Sequence, residues 1–135
     1  MKHHNLKSIG GLKVERQYSI YDLLAIIRKR PGMYIGEITL NNLFNYISGY
    51  RAAMDIAGIE DISIPEFYDF HEFVKEQYGY RESTAGWANM ILAVTIGLNP
   101  SEIIWENYDS NITSEQHKTS VDRFFQLIDA YRLGV

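Results

Sequence analysis

The side chains best suited to catalysis or metal binding are His71 and the acids of residues 66–76. His71 stands close to Asp69 and Glu72, a setting in which a metal ligand or a general base can occur. The chain has no cysteine, which excludes thiolate catalysis and cysteine-ligated metal centres. It also lacks a His-Glu-x-x-His sequence, a phosphate loop and a Gly-x-Ser-x-Gly turn. Since no nucleophile, base and orienting group come together, we expect no enzyme activity, no metal and no cofactor.

The acids of this segment instead favour recognition of a partner. A helix that begins near residue 63 turns by about 100° per residue, so its acids share an arc of about 120° beside the buried face. Phe73 projects between those acids at the edge of the core. Such a face is either a solvated acidic surface or a docking surface with an aromatic anchor, to which Tyr68 or Tyr80 would add. We predict a partner-binding surface made of Glu66, Asp69, Glu72, Phe73 and Glu76.

Charge is divided unevenly along the chain. The formal net charge is −4, and residues 1–36 contribute +5, from seven basic and two acidic residues. Residues 37–135 contribute −9, from six basic and fifteen acidic residues. An acidic surface of this kind attracts a basic partner and speeds association. We therefore expect a basic protein partner and no direct binding of nucleic acid.

An alternative function lies in the basic segment 13–30. Arg28, Lys29 and Arg30 are consecutive there, and a cluster of this kind could serve a nucleic-acid or nucleotide-binding module. The same residues also suit the end of a helix, where positive charge interacts favourably with the helix dipole.

The elements that must position these residues are mostly helices. A chain of 135 residues is the size of one domain. Ser19, Thr39 and Thr113 are N-cap residues that each precede a run of apolar residues at helical spacing. The predicted helices cover residues 19–30, 39–57, 63–78, 84–98, 99–107 and 113–133. We predict an all-α fold, a single compact bundle of about six helices over residues 19–135, preceded by a short N-terminal arm, residues 1–18.

Strand patterns are confined to the arm, at Leu12, Val14 and Tyr18, and to residues 59–64. The N-terminus has no signal-peptide layout, and the longest uncharged stretch, residues 84–101, is short for a membrane span. We expect a cytoplasmic protein with no membrane partner.

Residues 28–36, Arg-Lys-Arg-Pro-Gly-Met-Tyr-Ile-Gly, resemble the N-terminal segment of DNA gyrase B-type ATPases. Tyr46 and Tyr50 stand where that family has its catalytic glutamate and its magnesium-binding asparagine, so the resemblance does not imply ATP chemistry. It implies a local structure: a helix, a break at Pro31-Gly32, and then Met33, Tyr34 and Ile35 turned into the core.

A second resemblance spans about 100 residues and is carried by short motifs in order. These are the segment that ends at Gly36, then Gly-Tyr-Arg-Ala-Ala at 49–53, Phe-His-Glu-Phe-Val at 70–74, Gly-Trp at 86–87 and Phe-Phe-Gln-Leu-Ile-Asp at 124–129. The pattern resembles small bacterial proteins associated with interbacterial toxin systems, including immunity proteins of contact-dependent growth inhibition. The resemblance implies an immunity protein that binds and neutralises a cognate toxin domain, with a basic RNase or DNase as the expected toxin.

Overall fold

The computed structural model of the protein describes residues 6–9 and 12–134. Residues 1–5, 10 and 11 of the predicted arm, and residue 135, lie outside the described residues. The described part is mostly helical and forms one compact bundle, which confirms the all-α prediction. Its α-helices are α1 (Ile20–Lys29), α2 (Pro31–Ile35), α3 (Leu40–Ile56), α4 (Phe70–Tyr78), α5 (Gly86–Thr95) and α6 (Ser114–Leu133).

Four short strands accompany the helices. The strands β1 (Leu6–Ile9) and β2 (Leu12–Glu15) form an antiparallel pair in which Leu6 lies opposite Glu15. The strand β3 (Gln17–Tyr18) pairs in parallel with β4 (Glu60–Asp61). The second pair fixes the chain before α1 beside the segment that follows α3. No helix in the described residues is long and apolar enough to cross a membrane.

The predicted caps set the beginnings of three helices. The hydroxyl of Ser19 accepts a hydrogen bond from the Tyr21 amide, and the hydroxyl of Thr39 accepts one from the Asn42 amide. At α6, Thr113 and Gln116 form a reciprocal capping box, with N–O distances of 3.1 and 2.9 Å. Each cap satisfies an amide that the first turn of a helix leaves without a carbonyl partner.

The core is built around aromatic rings that α4, α5 and α6 contribute. Phe70 and Phe124 are fully buried, with ring centroids 5.4 Å apart in an edge-to-face arrangement. Trp87 packs on both rings, with centroid distances of 6.0 and 4.7 Å. The helix α5 packs against α3, α4 and α6, which explains its apolar sequence.

The predictions for residues 99–107 and for Met33 are wrong. Residues 99–107 form turns and irregular structure instead of a helix. The Asn99 side chain accepts hydrogen bonds from the amide and the hydroxyl of Ser101, as a helix cap would, but the chain then places Ile103 against the core and stacks Trp105 on Tyr80.

The predicted break at Pro31 is present, since α1 ends at Lys29 and the Arg30 backbone is not helical, but residues 31–35 then form the short helix α2. Met33 on that helix is 67% exposed, so only Ile35 is fully turned into the core and Tyr34 packs at its margin.

The third predicted helix begins seven residues later than expected. The Ile64–Pro65 peptide bond is cis, residues Phe67–Asp69 form a 3-10 helix, and α4 begins at Phe70. The spacing of about 100° per residue therefore does not extend from α4 back to Glu66 and Asp69, and the predicted single helical arc of four acids is wrong.

Candidate partner-binding surface

The segment between β4 and α4 is fixed to the first turn of α1. Ser63 is 7% exposed, and its hydroxyl accepts a hydrogen bond from the Ile20 amide at 2.9 Å. Asp61 accepts hydrogen bonds from both the amide and the hydroxyl of Ser63. The Ile62 amide donates to the Tyr18 carbonyl at 2.9 Å. These bonds leave residues 61–63 little freedom relative to α1.

Two tyrosine hydroxyls hold the next two residues. Tyr21 of α1 donates its hydroxyl hydrogen to the Pro65 carbonyl, and Tyr131 of α6 donates to the Glu66 carbonyl. Burial raises the pKa of Tyr21, so its hydroxyl stays protonated as a donor at neutral pH. Burial, followed by the charges of Asp69 and Glu66, also raises the pKa of Tyr131. Helices that are far apart in sequence thus fix the backbone of residues 65 and 66.

This fixed backbone presents apolar side chains to solvent. Ile64 is 88% exposed, Tyr68 is 69% exposed and Ile62 is 49% exposed. The hydrophobic effect opposes the exposure of such side chains, and their concentration within seven residues is typical of contact sites. The sequence predicts Tyr68 as a possible anchor but neither isoleucine, because apolar residues are expected to be buried.

The four predicted acids, Glu66, Asp69, Glu72 and Glu76, are all exposed. Glu72 accepts a hydrogen bond from Ser83 at 2.7 Å and lies 3.8 Å from the Lys75 ammonium. The Ser83 bond is the main reason that the pKa of Glu72 is lowered. The side-chain carboxylates of the other three acids make no hydrogen bond or ion pair within the described residues, so their charges are available to a partner.

The structure places the predicted aromatic anchors in different surroundings. Phe73 is half-buried, with its ring centroid 5.1 Å from that of Tyr131 and 6.3 Å from that of Phe70. Tyr80 is 7% exposed and donates its hydroxyl hydrogen to the Met90 carbonyl at 2.7 Å. These two rings pack with the core, which leaves Tyr68 as the exposed aromatic of this region. We call Ile62, Ile64, Glu66, Tyr68, Asp69, Glu72 and Glu76 the recognition segment.

His71, the one histidine near these acids, contacts α4 and the 3-10 turn that precedes it. Its Nδ1 lies 2.8 Å from the Tyr68 carbonyl, and its Nε2 lies 3.5 Å from the Glu72 carboxylate. Across the residues that the structure describes, no group of three or more metal-binding side chains is positioned to hold an ion.

In the basic segment, Arg28 is already paired with another side chain. Nη1 of Arg28 donates to both carboxylate oxygens of Asp129 in α6, at 2.9 and 3.0 Å. The Arg28 guanidinium also lies 5.4 Å from the centre of the Phe125 ring. Lys29 and Arg30 are exposed at the end of α1.

Comparison with known proteins gives no relative for this chain. No family model matches it, and no curated protein or solved structure matches it either. The two resemblances carried by the sequence motifs therefore stay predictions.

Proposed function

We propose that this chain is a non-catalytic immunity protein. It binds a basic toxin domain, a nuclease, through the recognition segment and blocks the active site of that toxin. The observation that carries the proposal is the combination of exposed apolar side chains and exposed acids on a backbone that is fixed by hydrogen bonds. The resemblance to proteins of interbacterial toxin systems supplies the biological role.

Charge supports a basic partner. Residues 60–76 carry six acids and one lysine, a formal charge of −5 that exceeds the whole chain's −4. Nucleases bind the phosphates of their substrates with basic surfaces, and a run of carboxylates can occupy the same cleft. Like charges close together repel one another, and a basic partner relieves that repulsion on binding.

Rigidity supports tight binding. Ordering a flexible loop on association costs free energy, and a loop that is already ordered avoids most of that cost. The hydrogen bonds from Ile20, Tyr21 and Tyr131 hold residues 63, 65 and 66 in place before a partner arrives. The exposed Tyr68, 69% accessible, then acts as an aromatic anchor that has the exposed acids Glu66 and Asp69 close to it in the chain, and an aromatic anchor is typical of an interface hot spot.

The alternative, a nucleic-acid or nucleotide module on the basic segment, receives less support from the geometry. Arg28 is paired with Asp129 at 2.9 Å, so a phosphate would compete with this carboxylate for one of the three consecutive cations. Lys29 and Arg30 remain exposed, so the alternative rests on these two cations.

A pair of charge-reversal variants tests the proposal. Glu66→Lys with Glu76→Lys reverses two acids that have no partner within the described residues, so the fold should be preserved. Glu102→Lys with Glu106→Lys is the matched control, since these acids are also exposed, lie outside the recognition segment and change the net charge equally. The partner for this measurement is the toxin domain that an immunity function expects a neighbouring gene to encode.

We expect the first pair to weaken binding by about 2 kcal/mol or more, roughly thirtyfold in Kd, and to abolish protection of cells from the toxin. The control pair should change Kd by less than about threefold, through long-range attraction alone. Equal affinities for the two double variants would show that this surface is not the docking site.

A further inference from the structure

A further feature, separate from the recognition segment, is the exposed face of α1. The buried face of this helix includes Ile20, Leu23, Leu24 and Ile27, all 8% exposed or less. At about 100° per residue, four other residues share an arc of about 100° on the opposite side of the helix: Asp22, Ala25, Ile26 and Lys29. All four are exposed, and Ile26 is 48% exposed although it is apolar. We call these four residues the α1 stripe.

The order of the residues in the α1 stripe makes it complementary to itself. Asp22 lies in the first turn of α1 and Lys29 in the last turn, equally far in sequence from the midpoint between Ala25 and Ile26. A second α1 that packs in the antiparallel direction therefore places its lysine opposite Asp22 and its aspartate opposite Lys29. It also places the small Ala25 of each copy opposite the larger Ile26 of the other, which lets the two helices approach closely.

Both charges of the stripe are available for such a contact. The side chains of Asp22 and Lys29 make no hydrogen bond or ion pair within the described residues. Ion pairs within a helix join residues three or four positions apart, and these two residues are farther apart than that. The antiparallel arrangement also brings the positive end of one helix dipole beside the negative end of the other.

The charge balance of the stripe favours a second copy over other partners. One acid and one base leave it without net charge, so it has no general attraction for an acidic or a basic surface. Its complement is an acid and a base in the reverse order, on either side of an apolar residue. A second copy of this chain, turned by 180°, presents that pattern and uses the same residues on both copies, as twofold dimers do.

We propose that the protein forms a twofold dimer in which two α1 helices pack antiparallel through the α1 stripe. The dimer is weak, because exposed ion pairs contribute little and one helix face is a small contact. We expect a dissociation constant of about 0.1–1 mM. Nothing in this proposal depends on the recognition segment or on a toxin, and every measurement uses this chain alone.

Sedimentation equilibrium measures the association at chain concentrations up to about 2 mM, in about 0.15 M salt. At this ionic strength the Debye length is about 8 Å, so the repulsion between two copies of net charge −4 is largely screened while ion pairs in contact persist. Isotope-filtered nuclear Overhauser effects in a mixture of two labelled forms report contacts between copies. We expect a reversible monomer–dimer equilibrium and an intermolecular signal between the methyl groups of Ile26 and those of Ala25 of the partner subunit.

Charge reversal tests the pairing. In Asp22→Lys two lysines face each other in each contact, and in Lys29→Asp two acids do, so each single variant should dimerise at least about tenfold more weakly. The double variant, Asp22→Lys with Lys29→Asp, restores opposite charges in both contacts and should dimerise as the unaltered protein does. An equimolar mixture of the two single variants should also form dimers. Glu115→Lys, which reverses an exposed acid in the first turn of α6, is the matched control and should change the dissociation constant by less than about threefold.

Three results would overturn the proposal. The first is an unaltered protein that stays monomeric at every concentration up to about 2 mM. The second is dimerisation of both single variants as strong as that of the unaltered protein, which would place the contact elsewhere. The third is a double variant that is folded by far-ultraviolet circular dichroism and yet dimerises no better than the single variants.

Discussion

Removal of the two tyrosine hydroxyls that hold the recognition segment should loosen that segment without disturbing the core. Tyr21→Phe and Tyr131→Phe keep both rings and delete only the hydrogen bonds to the Pro65 and Glu66 carbonyls. The Tyr21 ring is 4% exposed, so water replaces its hydroxyl poorly. Tyr131 is half-buried, and water can reach the carbonyl that it leaves.

The magnitudes follow from these surroundings. A buried hydrogen bond contributes about 1 kcal/mol net, and an unpaired buried carbonyl adds to the loss, so Tyr21→Phe should lower the free energy of unfolding by about 1–2 kcal/mol. Tyr131→Phe should lower it by about 0.5–1 kcal/mol. The two carbonyls are adjacent in sequence, so the effects in the double variant should be coupled instead of strictly additive.

Urea unfolding at pH 7 measures these differences, and Tyr46→Phe is the matched control. Tyr46 is also half-buried, and its hydroxyl makes no hydrogen bond within the described residues, so this change should stay within about 0.5 kcal/mol.

Amide exchange supplies a local readout, because the Ile62 and Asp69 amides both donate hydrogen bonds in this region. Their exchange should accelerate in the double variant, and affinity for the partner should fall with it. If both single variants unfold at the same urea concentration as the unaltered protein, and exchange in residues 61–69 is unchanged, the hydroxyls do not hold the segment.

Three further predictions concern the scaffold. Burial raises the pKa of Tyr80 to about 12 from an ordinary value of 10.0, so the Tyr80 hydroxyl loses its proton at a lower pH in the unfolded chain than in the folded one. The contribution of Tyr80 to the free energy of unfolding should therefore fall by about 2 kcal/mol as pH rises from 10 to 12. Urea unfolding across that range should show a shallower decline for Tyr80→Phe, and an identical decline would contradict the assignment. Phe70→Ala, at a fully buried position, should lower the free energy of unfolding by about 3–5 kcal/mol, and a loss below about 1 kcal/mol would be inconsistent with the described core. Thr113→Ala should lower the free energy of unfolding by about 1 kcal/mol through loss of the capping box. Thr119→Ala, at an exposed site within α6, is the control and should have little effect. Equal losses in the two variants would show that the cap has no special role.

Local sequence signals predicted most of the helical scaffold. The caps at Ser19, Thr39 and Thr113 work through bonds that span two or three residues, so they are visible in sequence. The apolar character of α5 likewise predicted its position against several neighbours, because a helix without a polar face must be covered on most sides.

The geometry of the recognition segment could be predicted only in part. Its acids and Tyr68 were identified from composition and spacing, but the exposure of Ile62 and Ile64 was not, since apolar residues are expected to be buried. The hydroxyl of Tyr131 meets a carbonyl 65 residues away, and no local pattern encodes such a contact. Because residues 67–69 form a 3-10 helix before Phe70, Glu66 and Asp69 do not have the angular positions that one continuous α-helix would give them.

The most direct test of the proposed docking surface is a cross-saturation experiment on the complex with the toxin domain that the proposal expects a neighbouring gene to encode. Isoleucine methyl groups of this protein are labelled, and protons of the toxin domain are saturated. Ile62 and Ile64 report on the recognition segment, while Ile26 and Ile104, 48% and 80% exposed, report on other surfaces. We predict that the methyl signals of Ile62 and Ile64 lose intensity and that those of Ile26 and Ile104 do not. Intensity loss at Ile26 or Ile104, with Ile62 and Ile64 unaffected, would contradict the proposed docking surface.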